Sequence, residues 1–105
     1  MVRMEGTALR FAELARTLGV AARAQGLTMP AFRSPPRVAG AHRTVRRRVG
    51  GVTVAVRLRG RPWPAVVADM VEGVVVANDL AGTAAAPARA ALWEAVGERG
   101  AMAAA

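Results

Sequence analysis

Residues 65–80 read AVVADMVEGVVVANDL, and the architecture of the chain turns on how they are taken. Val66, Val67, Met70, Val71, Val74, Val75 and Asn78 recur at the spacing of one helix face. Pro64 stands just ahead, where a first helical turn tolerates proline. The rival reading takes the valine richness as strand and lets Glu72-Gly73 turn a hairpin. The seven positions fit the helical template without exception, so a helix is expected, closed by the run from Asn78 to Gly82. The helix implies a small α+β domain: an N-terminal helix, an Arg-rich antiparallel hairpin, then two C-terminal helices. The hairpin implies a four-stranded antiparallel sheet flanked by two helices.

Upstream, GRPWP (60–64) is a turn, and ahead of it His42 to Arg59 alternates apolar and polar residues around Gly50-Gly51. Two glycines between alternating runs signal a two-residue hairpin loop. A Gly50-Gly51 loop pairs Val49 with Val52, Arg48 with Thr53, Arg46 with Ala55 and Thr44 with Arg57. One face then carries Val45, Val49, Val52, Val54, Val56 and Leu58. The other carries Arg46, Arg48, Arg57, Arg59 and, at its end, His42. Arg47 falls on the apolar face opposite Val54. It fits there only at a rim, with its head extended outward.

Residues 28–41 are a Pro-rich connector, because Pro30, Pro35, Pro36 and Gly40 deny them regular structure and RSPPR favours polyproline II. Thr7 to Gln25 reads as a helix, with Thr7 as N-cap, Leu14, Leu18 and Ala22 inward, and Gly26 just past its end. Within it, FAELARTLGVAARAQGL (11–27) resembles the first helix and turn of helix-turn-helix proteins in its LARxLGV pattern. That resemblance implies a helix ending at Leu18 and a turn at Gly19. The remaining Val20–Gln25 is too short to read a major groove. Thr83 to Val96 is the last helix, with Pro87 in its first turn, Leu92, Trp93 and Val96 inward, and Gly97 or Gly100 ending it. Residues 101–105 are expected to be a flexible tail. The 105 residues form one domain.

The charge is very uneven. All fifteen cationic side chains are Arg, and between Leu14 and Ala68 eleven of them occur without one Asp or Glu. That stretch carries +11 and the two flanks together −3, which leaves the chain at +8. Arg in place of Lys, with abundant Ala and Val, is what a GC-rich bacterial coding sequence writes. The acid-free run is the stronger signal, because a one-sign field attracts polyanions. The residues placed to contact phosphate are Arg43, Arg46, Arg48, Arg57, Arg59 and Arg61. A flat Arg face reads few bases, so low sequence specificity is expected. Trp63 is the one candidate stacking platform, read more simply as a hydrophobic anchor.

Catalytic chemistry has little to work with. There is one His, one Ser, no Cys and no Tyr. Ser34 has no base near it in sequence, and His42 reads as an exposed strand-end residue. Asp69 and Glu72 lack a His or third carboxylate for a metal site, and no phosphate-loop motif surrounds Gly50-Gly51. The expectation is therefore a non-enzymatic protein without cofactor or metal. The absence of Cys and of an apolar leader or span points to a cytoplasmic protein. Two partner classes remain: nucleic acid through the Arg face, or protein, either a second copy sharing a thin core or an acidic partner.

Overall fold

The computed structural model describes the backbone of residues 2–38 and 42–104, with side chains for 8–38 and 42–97. Gly40 of the expected connector and Ala105 of the expected tail lie outside those residues. The element order is α1 (Val2–Ala24), β1 (Ala31–Arg33), β2 (Arg43–Arg48), β3 (Gly51–Val56), α2 (Trp63–Ala77), a single 3-10 turn at Gly82–Ala84, and α3 (Ala85–Ala104). This is the helix–hairpin–helix–helix order expected from the sequence, with one strand added.

Residues 65–80 settle as helix and its C-terminal turn, not as a second hairpin. The reason lies in what surrounds them. Val66, Val67, Met70, Val71, Val74 and Val75 are all buried, as are Gly73 and Ala77. α2 packs against β3 and β2 on one side and meets α1 and α3 on the other. A helix that is apolar nearly all round belongs in an interior, and that burial overrides the weak helix propensity of valine. Gly73 marks the closest approach to the sheet. A Cβ built there would lie 2.7 Å from Val54 Cγ1 and 3.4 Å from a Phe32 ring carbon. The glycine is therefore a seat for β3 and not a turn residue.

The sheet has the order β1-β3-β2, with β1 parallel and β2 antiparallel to β3. β1 corrects the reading of 28–41 as a connector without regular structure. Its three residues alternate, so Phe32 points inward and Ala31 and Arg33 outward. Phe32 meets Phe11 of α1 edge to face, with centroids 6.3 Å apart. The tertiary contact stabilises a strand too short and too Pro-flanked to announce itself.

The hairpin register also differs from expectation. Arg48 pairs with Gly51, Arg47 with Val52, Arg46 with Thr53 and Val45 with Val54. The loop is therefore Val49-Gly50, and only Gly50 takes a left-handed φ, of 95°. A turn with positive φ at its second position alone needs one glycine there, which frees Gly51 to enter β3. The slip is two residues, so the side chains of β2 and β3 keep their expected faces, but Val49, expected on the apolar face, lies in the loop and is fully exposed.

α1 is one continuous helix through Gly19, which overturns the helix-turn-helix resemblance. Gly19 is buried, and a Cβ there would reach only ordinary contact with Met29. Thr7 lies inside the helix, not at its cap. Gly26 ends it as expected, at φ 73°, with Leu27 N–H donating to Ala22 C=O. α3 runs past Gly97 and Gly100, where the sequence predicts its end, to Ala104. A mid-helix glycine costs about 1 kcal/mol against alanine, which a long helix absorbs. Trp93 is 40% exposed and not inward, because the buried face of α3 runs through Ala85, Ala88 and Leu92.

Candidate nucleic-acid interface

Strand alternation divides the arginines of β2 into two sets. Arg43, Val45 and Arg47 lie on the side of Val54 and Val56, facing α2. Thr44, Arg46 and Arg48 lie on the opposite side with Gly51, Thr53 and Ala55.

The inward set is engaged. Arg47 donates from Nη2 to Val76 C=O at 2.8 Å and from Nη1 to Ala77 C=O at 3.3 Å, and it pairs with Asp79 at 2.6 Å. A cation at the last carbonyls of a helix meets the negative end of its dipole. The residue that looked misplaced on the apolar face is thus the C-terminal cap of α2. Arg43 and Arg61 converge on Asp69, with N–O distances of 3.8 and 2.5 Å. The Arg61 side chain is only 11% exposed. Asp69 Oδ2 lies beside Arg61 without an aligned hydrogen bond, so that contact is coulombic. Arg61 also donates to Arg57 C=O. Further along α2, Arg89 Nε and Nη2 donate to the two oxygens of Glu72. These bonds, helped by the Arg43 charge and opposed by burial, hold the Glu72 carboxyl below its ordinary value of 4.5.

The outward set faces solvent. Arg46, Arg48, Arg57 and Arg59 are exposed. Arg57 extends the ladder by donating its N–H to His42 C=O, which sets its side chain on the outer face with exposed His42. β1 adds Arg33 to that face, opposite Ala55, a contribution sequence reading missed. Its signal was the Ala-Phe-Arg alternation, masked by the neighbouring prolines. Strands lie about 4.8 Å apart, so Arg33 on one edge and Arg46 and Arg48 on the other stand roughly 10 Å apart across β3. Between them the floor is small: Ala31, Thr53, Ala55 and Gly51. Among the described residues no acid lies on this face and no helix covers it. Of the six arginines expected to contact phosphate, Arg46, Arg48, Arg57 and Arg59 remain outward. Arg43 and Arg61 turn to Asp69 instead.

Trp63 sits at the start of α2 and packs against the core, with the Arg10 guanidinium 4.2 Å from its ring centroid. The cation occupies that ring face, so Trp63 is no stacking platform. Among the described residues no three His, Cys, Asp or Glu side chains gather to hold a metal ion. No described helix is long and apolar enough to cross a membrane. No protein-family model, curated protein or solved structure matches the chain.

Proposed function

We propose that this chain is a small, non-enzymatic nucleic-acid-binding protein whose outer sheet face contacts phosphates with little regard to sequence. The observation that carries the reading is the face bearing Arg33, Arg46, Arg48 and Arg57, with Arg59 beside it, which among the described residues carries no acid and lies under no helix. Guanidinium groups suit phosphate geometrically, and release of condensed counterions supplies affinity. The small floor lets a backbone approach closely, and the lack of an aromatic there disfavours base stacking. Arg43 and Arg61 drop out of the contact set, since Asp69 already holds them. Arg33 enters it.

The test is a salt series on nuclease-treated protein with random duplex DNA, single-stranded DNA and RNA. Each phosphate contact on duplex DNA contributes about 0.9 to the slope of log affinity against log salt, so four or five contacts give a slope of about −4. The Arg46→Glu/Arg57→Glu double variant should lose affinity by about a hundredfold or more and melt like the parent. Absence of binding at low salt, or a variant that binds as well as the parent, would sink the reading. A second reading, a protein-interaction module, is favoured by a different surface.

A further inference from the structure

An open groove of about 690 Å³ runs between α1 and the β1 segment. Its floor includes Phe11, Met29 and Phe32, and its rim on α1 is Arg16, Val20 and Arg23. Val20 is 68% exposed, a large apolar side chain left in water beside two exposed cations. From Phe11 to Arg23 the groove follows α1 for roughly 18 Å. Arg16 and Arg23 stand two helical turns apart, about 10.5 Å along the axis. None of the groove's residues is acidic.

We infer that this groove docks an acidic amphipathic helix of a protein partner. The partner's apolar stripe covers Val20 and enters between Phe11, Met29 and Phe32. Two of its carboxylates, seven residues apart, meet Arg16 and Arg23. Charge complementarity selects the sign, since both flanking groups are cations. The fold selects a helix over an added strand. β1 has only three residues and is headed by Pro30, which has no N–H, so its free edge offers too short a ladder for strand addition. A groove lying along a helix suits apolar anchors at helical spacing. The site lies between α1 and the Met29–Phe32 segment and shares no residue with the outer sheet face.

The experiment titrates the protein into a fluorescein-labelled peptide of about 14 residues, long enough as a helix to span the groove. The peptide carries Leu at helical i, i+3, i+4 and i+7 positions and Glu at two positions seven apart. Anisotropy is read in about 0.1 M salt, where charges beyond about 10 Å are screened. Micromolar binding is expected, weakened about tenfold or more by Arg16→Glu/Arg23→Glu and, separately, by Val20→Asp. Both variants change exposed side chains, and circular dichroism checks that they fold. A peptide with Lys for Glu should bind the Arg16→Glu/Arg23→Glu variant better than it binds the parent. Three results would overturn the inference: no binding of the Glu peptide, binding indifferent to the groove variants, or binding lost only in Arg46→Glu/Arg57→Glu. The last result would place acidic ligands on the sheet face and leave the nucleic-acid reading standing.

Discussion

The two faces of the β2–β3 hairpin carry the same residue type in opposite roles. Arg47, facing α2, is bonded to the last carbonyls of that helix and to Asp79. Arg46 and Arg48, its chain neighbours, point away from α2 and are exposed. Charge alone therefore says little about an arginine's job here; strand parity says which side it is on, and the element packed there says what it does. Inward arginines stabilise the fold, and outward ones are available to a ligand.

The comparison breaks most sharply at Gly73, where α2 rests on the inner face. Val54 is fully buried, and its Cγ1 would lie 2.7 Å from a new Cβ, so neither element can yield cheaply. Gly73→Ala should cost about 1–3 kcal/mol by overpacking, and Gly73→Leu should prevent folding. Gly97→Ala is the control, because a Cβ there meets nothing within 4 Å. It should hold or raise stability by up to about 1 kcal/mol. Chemical denaturation of the three variants decides this, and a tolerant Gly73 would refute the close helix–sheet contact.

Arg47→Ala probes the difference between the two sides of one strand. It removes charged donors from two helix-end carbonyls, but the side chain is 47% exposed, so the loss should be about 1 kcal/mol. Arg48→Ala, one residue on, should leave stability unchanged and weaken nucleic-acid binding instead. Thermal melts beside binding curves separate these outcomes, and a common effect of both variants on both readouts would dissolve the distinction.

The smallest expected effect concerns Glu72. Its folded-state carboxyl titrates below 4.5 because Arg89 hydrogen-bonds the charged form. The stability it contributes is thus complete above 4.5 and is lost as pH falls through the lower folded value. Stability measured against pH should show this loss on the acid side, and Glu72→Gln should flatten it. A variant with the parent's acid profile would mean that the pair contributes nothing to folding.

Much of this protein is written in local pattern. The 3.6-residue repeat of Val66 to Val75 specifies α2, since an apolar surface of that period can be buried only as a helix. The period-2 alternation of Val45 to Val56 assigns the paired side chains of β2 and β3 to their faces, and a register slip of two leaves those faces unchanged while it moves Val49 into the loop. The acid-free run of arginines is likewise visible in the chain itself. Tertiary structure decided what pattern cannot carry. Ala31–Arg33 becomes a strand only because β3 offers a ladder and Phe11 receives Phe32. Trp63 is covered because Arg10 arrives over it from another helix. Arg43, Arg47 and Arg61 are taken by groups 8 to 32 positions away along the chain. Period is a property of neighbours in sequence, whereas ion pairs, caps and edge strands belong to groups that meet only after the chain has folded.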